Sequence, residues 1–147
     1  MQNIKIIDRE MTPEEYATEL AGFNQHAIEH GNPVEEAERF TFVLLDGDTF
    51  IGCSSGLAYK SELGYSNWFY LSDMFIEKAY RGQHWGTRVL TKLEKKVAML
   101  GIKTIWTWTG AHEGYPFYLA RGYTPFCEQE NWYNSGHSRF GLKKELS

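Results

Sequence analysis

Cysteine is scarce: only Cys53 and Cys127 occur in 147 residues, and neither belongs to the CxxC spacing that zinc or dithiol chemistry uses. Both read as buried, reduced thiols that pack as small hydrophobes. Basic runs are missing as well. Fifteen Lys plus Arg stand against nineteen Asp plus Glu, a net charge of -4, so no cationic stripe awaits a polyanion and nucleic acid is excluded as a partner. No apolar run approaches the ~20 residues that cross a bilayer, and Met1 to Arg9 hold only short apolar alternation where a signal peptide would have a continuous stretch. These absences predict a cytoplasmic location and no membrane partner. No repeat or low-complexity segment breaks the chain, and 42% hydrophobic residues suffice for the core of one domain spanning 1–147.

Aromatic residues are abundant, with five Trp, nine Tyr and nine Phe, enough that some should line a pocket instead of filling the core. Ile4, Ile6 and Ile7 alternate with polar neighbours as a first strand. Thr12-Pro13-Glu14-Glu15 supplies an N-cap, an N1 proline and an acidic first turn to a helix that carries Tyr16, Leu20, Phe23 and Ala27 and ends near Gly31-Asn32-Pro33. A short helical piece follows over Glu35 to Arg39. Phe40 to Leu45 and Thr49 to Tyr59 flank the hairpin signal Asp46-Gly47-Asp48. A polar loop from Ser61 to Ser66 leads into a long strand from Asn67 to Glu77. Val89, Leu90, Leu93, Val97 and Leu100 then recur at helical spacing up to Gly101. A strand from Ile102 to Thr109, a short helix from Glu113 to Arg121, and strands from Tyr123 to Glu128 and from Ser138 to Leu146 complete the chain. A hairpin early and a strand-helix-strand unit later require a mixed sheet, an α/β (α+β) class that excludes a simple doubly wound fold.

Between the long strand and the long helix lies Arg81-Gly82-Gln83-His84-Trp85-Gly86-Thr87. A Gly-containing turn that opens a helix aims unpaired N–H groups and the positive helix end at one spot, which suits an anionic phosphate; plain helix capping uses the same pattern. His26 and His30 share i, i+4 spacing on a helix that carries Glu29, but no further ligand joins them and no metal is expected.

Two motifs decide between these readings. Leu71-Ser72-Asp73-Met74-Phe75-Ile76 running into Tyr80-Arg81-Gly82-Gln83-His84-Trp85-Gly86-Thr87, and Pro116-Phe117-Tyr118-Leu119-Ala120-Arg121-Gly122-Tyr123, resemble the GNAT family of N-acetyltransferases, whose usual forms are R-x-x-G-x-G and F-Y-x-x-x-G-F. The resemblance covers nearly the whole chain. It implies a mixed central sheet of six to seven strands flanked by about four helices, with acetyl-CoA as cosubstrate and direct transfer to an amine in a ternary complex. The backbone from Arg81 through Gly82, Gln83, His84, Trp85 and Gly86 to Thr87 would then hold the pyrophosphate. Met74, Phe75 and Ile76 would pair with the pantetheine arm, and Tyr118 would hydrogen-bond the sulfur and protonate it as it leaves. Phe117, its neighbour, would pack into the core. His84 departs from the family, standing where the first loop glycine is usual; an ordinary helical φ there would still leave its N–H available.

An acid inside an apolar strand needs a reason, so Asp73 is the first candidate for the base. Many relatives have an acid just before it, where this chain has Ser72; a water chain ending at Asp73 or Glu113 would serve as well, and so would a purely structural role for Asp73. The acceptor side would be formed by the first helices, through Phe23 and His26, and by the loop holding Trp132, Tyr133 and His137 near Glu128 and Glu130. Aromatics with acids suit a small cationic amine. The same cluster suits a homodimer surface equally well. Two other roles stay open: a CoA-binding sensor with little catalysis, and an acetyltransferase of protein N-termini or lysines.

Overall fold

The computed structural model describes residues 2–146. They fall into two units, one up to Val34 and one from Glu35 onward.

The first unit is built around helix α1, Pro13–Glu29. Thr12 and Glu15 form a reciprocal capping box, the Thr12 hydroxyl accepting from the Glu15 N–H at 3.2 Å and the Glu15 carboxylate accepting from the Thr12 N–H at 2.7 Å. Arg9 clamps that carboxylate at 2.7 Å and, as its strongest neighbour, holds it down at about 2. The strand anticipated over Ile4, Ile6 and Ile7 is absent. The unit contains no second strand to pair with, and an isolated strand leaves its N–H and C=O groups unmatched.

The second unit is a seven-stranded sheet. Its first hairpin joins β1, Glu36–Asp46, to β2, Thr49–Ser61, through Gly47 at φ 60. The short helix anticipated over Glu35 to Arg39 is instead the start of β1, because the ladder continues to Glu36 opposite Lys60 and pairing outweighs the modest helix preference of Glu, Ala and Arg. Residues Gly64–Tyr65 within the anticipated loop form β3, a two-residue strand on the end of β2. Then come β4 (Trp68–Ile76), a 3₁₀ turn (Lys78–Tyr80), α2 (Trp85–Met99), β5 (Thr104–Gly110), α3 (Tyr115–Ala120), β6 (Thr124–Gln129) and β7 (Arg139–Glu145). The described residues thus hold three α-helices and one 3₁₀ turn, against the anticipated four helices or so.

The sheet order is β1-β2-β4-β5-β7-β6, with β3 beside β2. Every pairing is antiparallel except that of β4 with β5. Helix α2 covers one face with Val89, Leu90, Leu93 and Val97, all buried, of which Leu90, Leu93 and Val97 share the core with Phe69, Leu71, Ile105 and Leu142.

The parallel pair controls everything downstream. β4 and β5 match only at Trp68–Thr104, Phe69–Ile105 and Tyr70–Trp106, after which no pairing is formed. At that point β4 carries a bulge: Gly56 opposes Leu71 and Ser55 opposes Asp73, so Ser72 is the extra residue. Beyond it Met74 joins the core side while Asp73 turns to the other face. The Thr107 hydroxyl donates to the Leu71 carbonyl at 2.8 Å, which satisfies the first acceptor past the last rung.

Gly56 makes the bulge sterically feasible. A Cβ there would lie 2.3 Å from the Tyr70 carbonyl and 2.4 Å from the Phe69 ring. Gly56→Ala is therefore expected to destabilise the protein by ~1–3 kcal/mol, as overpacking does, read as a lower urea midpoint with an unchanged slope; unaltered stability would show that the bulge tolerates a side chain.

Candidate functional site

Where β4 and β5 part, a cleft of about 830 Å³ opens. Its walls come from the diverging strands, the turn before α2, and α3. Met74, Phe75 and Ile76 line one side, Thr107, Trp108 and Thr109 the other, and Arg81, Gly82, His84, Trp85, Gly86 and Thr87 the end. Gln83 lies in the same turn without lining the cleft, its side-chain amide donating to the Ala79 carbonyl at 3.4 Å.

The turn is organised by two left-handed residues, Gly82 at φ 75 and His84 at φ 68, ψ 10. His84 thus takes the conformation a glycine would take there, not the ordinary helical φ anticipated for it. A non-Gly residue in this region costs ~1–2 kcal/mol, least for Asn, Asp and His. His84 makes no side-chain cap to α2, so its backbone is what serves the helix start. Among the described residues, the N–H groups of Gly82 to Thr87 donate to no protein acceptor, while Arg88 closes the first helical bond to the His84 carbonyl at 3.1 Å. Six consecutive free donors at a helix N-terminus are able to receive an anionic group. Space favours the same reading: a Cβ on Gly86 would meet Phe117 at 3.3 Å and the Met74 methyl at 3.5 Å, so the floor of the turn is bare backbone. The Arg81 Nε donates to the Ile76 carbonyl at 2.8 Å and ties the turn to β4.

Tyr118 stands on α3, 5% exposed, at the cleft wall. Burial pushes its phenol up to about 12, with the Thr107 side chain opposing the shift and the nearby Glu113 carboxylate adding to it. Phe117 is the less buried of the two neighbours. It packs against the core as anticipated, though only partly buried, and also lines the cleft under the Arg121 guanidinium, 5.0 Å from its ring centroid.

Asp73 lies outside the cleft wall, on the opposite face of the bulge from Met74. Its carboxylate meets Arg39 at 3.2 Å and accepts from the Ser72 hydroxyl at 2.7 Å. Ser72 itself lines the cleft, so one hydroxyl joins the cleft to the carboxylate.

On the acceptor side, Tyr133 and His137 gather with His112 and Glu113 above Gly110. The His112 ring lies 4.9 Å from Tyr133 and 4.5 Å from His137, and its Nε2 is 3.3 Å from Glu113. Trp132 stacks on Arg139 at 3.9 Å. Phe23 and His26 sit in the first unit, on α1, and are described only there. Both cysteines are free thiols and half-buried, less enclosed than anticipated, and no group of three or more His, Cys, Asp or Glu that could hold a metal occurs among the described residues. None of the described helices is long and apolar enough to cross a membrane.

The family model for GNAT acetyltransferases matches residues 3–123. The chain belongs to the GNAT acetyltransferase family. It is accordingly an acetyl-CoA-dependent N-acetyltransferase. Solved structures share its fold. An acetyltransferase from Bacillus cereus is 19% identical with a TM-score of 0.81, covering 97% of this chain and 98% of that one. An aminoglycoside 6'-N-acetyltransferase complexed with coenzyme A is 21% identical with a TM-score of 0.64, covering 84% of this chain and 79% of that one. The PaiA N-acetyltransferase of Thermoplasma acidophilum, also in complex with coenzyme A, is 17% identical with a TM-score of 0.58, covering 90% and 73%. No curated protein sequence matches the chain significantly.

Several residues of this acetyltransferase cleft were not singled out from sequence. Arg121, at a variable position inside the second motif, donates to the Thr87 hydroxyl at 2.6 Å, placing a cation beside the turn. Thr107 and Trp108 alternate on β5, and only the loss of pairing after Trp106 reveals that both reach the cleft. His112, for which no sequence motif suggests a role, lines the wall as well.

Because the His84 backbone is held at φ 68, His84→Gly should retain coenzyme A binding and raise stability by ~0.5–1 kcal/mol, the left-handed strain relieved less the added chain entropy. His84→Val, β-branched and poorly suited to that region, should lose ~1–2 kcal/mol and weaken coenzyme A binding. Calorimetric titration and urea melts of both variants check this; a His84→Gly variant that binds no coenzyme A would show that the imidazole, and not the backbone, matters.

Proposed function

We propose that residues 1–147 form one catalytic domain, cytoplasmic and able to act as a homodimer, that transfers acetyl directly from acetyl-CoA to the primary amine of a small, cationic molecule within a ternary complex. The observation that carries this reading is the row of six unpaired N–H groups from Gly82 to Thr87 opening onto the same cleft as a buried, protonated Tyr118. Bound acetyl-CoA supplies an activated thioester carbonyl. The Gly82–Thr87 backbone, with Arg81 and Arg121 beside it, holds the pyrophosphate, and the unpaired edge of β4 at Met74, Phe75 and Ile76 receives the pantetheine amides as a further strand would be received.

Three further tasks fall to this chain's side chains and backbone. Free N–H groups past the last β4–β5 rung stabilise charge on the carbonyl oxygen, a contribution typically worth ~3 kcal/mol of barrier. Tyr118 donates its proton to the departing sulfur, since a phenol raised to about 12 is fully protonated at neutral pH. Asp73 accepts the proton of the acceptor ammonium through the Ser72 hydroxyl and water, with Glu113 on the cleft wall drawing the cation in.

Tyr118→Phe should lower kcat by ~100-fold or more with little change in coenzyme A affinity. In the unaltered enzyme, Tyr118 should contribute no descending limb to kcat between pH 7 and pH ~10, where an ordinary phenol would begin to lose its proton, because burial raises this one to about 12. An unchanged kcat in Tyr118→Phe with a good acceptor would remove it from the mechanism. Asp73→Asn should lower kcat/KM for the acceptor by ~10-fold or more at neutral pH and progressively less as pH rises and free amine accumulates; an equal loss at every pH would make Asp73 structural.

A further inference from the structure

The aromatic slot at the acceptor side already contains a cation. The Arg139 guanidinium carbon lies 4.2 Å from the Trp108 ring centroid and 3.9 Å from that of Trp132, so it is sandwiched between two indoles. Its Nε donates to Gln129 at 2.9 Å, which fixes the plane of the fork. Nη1 and Nη2 donate to no protein acceptor, and no carboxylate lies within 4.0 Å of them, among the described residues. A guanidinium stacked on both faces can use only its edge, where its in-plane donors match the two oxygens of a carboxylate.

The opposite charge stands close by and is not spent on it. Gly110 opposes Arg139 across the β5–β7 ladder, so the two lie on the same face of the sheet. The room left by the absent Gly110 side chain is filled by His112, Tyr133 and Glu113, which approach to 2.9, 3.0 and 3.1 Å of where a Cβ would be. Partial burial raises the Tyr133 phenol, the Glu113 carboxylate nearby raises it further and the Arg139 guanidinium lowers it, while Glu113 and Arg139 form no ion pair with each other. Trp108 and Glu113 both line the cleft. The Arg139 fork and the Glu113 carboxylate thus lie on one face of the sheet around Gly110, beside the cleft that Trp108 and Glu113 line.

From this arrangement we infer that the acceptor of this enzyme carries a carboxylate beside its amine, and that the Arg139 fork, held between Trp108 and Trp132, binds that carboxylate while Glu113 faces the ammonium. The inference rests on the acetyl-transfer reading above and narrows its acceptor to zwitterionic amines. Trp132 and Trp108 therefore hold an internal cation, and the acceptor's own positive charge is met by Glu113 instead of by the indoles.

The test is thiol release from acetyl-CoA with the unmodified protein and with Arg139→Gln, against the proteinogenic amino acids, their carboxamides, and the corresponding decarboxylated amines. With the unmodified protein, kcat/KM for the preferred free acid should exceed that for its carboxamide about tenfold or more. In Arg139→Gln that ratio should fall towards one, with coenzyme A affinity by calorimetry retained as evidence of an intact fold. Carboxamides or plain amines turning over as well as the acids, or a ratio unaltered in Arg139→Gln, would overturn the carboxylate site while leaving the acetyltransferase reading in place. Turnover of nothing in the panel despite coenzyme A binding would overturn both.

Discussion

The structure depends on the failure of one strand pair to continue. β4 and β5 share three rungs and then separate, which in an antiparallel or fully covered sheet would strand polar backbone groups at a cost of ~1–3 kcal/mol each. Here the first orphan, the Leu71 carbonyl, is met by Thr107. The groups that follow face a cleft, where a ligand or water can meet them. Separation is enforced by the Ser72 bulge, and the bulge by the bare backbone of Gly56 against Tyr70 and Phe69. The position of the site is therefore set two strands away from the chemistry.

The second constraint is the turn between β4 and α2. Its usefulness comes from having nothing of its own to bond to: six N–H groups are left free by helix geometry and by two left-handed residues. Holding a histidine at φ 68 stores strain that the packed ends of the turn, Arg81 on Ile76 and Gly86 under Phe117, must maintain. Tyr118 is the complement of that turn. The same burial that would make a charge costly keeps its phenol protonated at the wall of the cleft.

The positions of β2, β4, α2, β5 and β7 were legible from sequence within a few residues, because each has strong periodicity or a firm boundary signal: Asp46-Gly47, the Val89-Leu90-Leu93-Val97 stripe, Gly101. The failures have physical causes. Ile4, Ile6 and Ile7 alternate as a strand should, yet alternation says nothing about whether a partner strand exists. Residues 35–39 have helix-forming side chains, and only the hairpin's long register, set by residues twenty positions later, recruits them into β1. At the site, the Gly82–Thr87 turn and Tyr118, which line one cleft, were visible because their motifs are contiguous. Trp108, Thr107, His112 and Arg139 were not, since they become neighbours only through the splay of β5 from β4 and the register of β5 with β7. The Trp132 cluster was anticipated as a host for a substrate cation, but sequence could not reveal that Arg139 would occupy it.

The most direct measurement of the central claim is the amide spectrum of ¹⁵N-labelled protein titrated with coenzyme A. The predicted result is saturable shifts confined to the amides from Gly82 to Thr87 and to Met74, Phe75 and Ile76, the first group retained and the second lost when the ligand is shortened to adenosine 3'-phosphate 5'-diphosphate, which keeps the pyrophosphate and lacks pantetheine. Shifts centred on other strands, or none in the Gly82–Thr87 amides at saturation, would contradict the assignment of that backbone to the pyrophosphate.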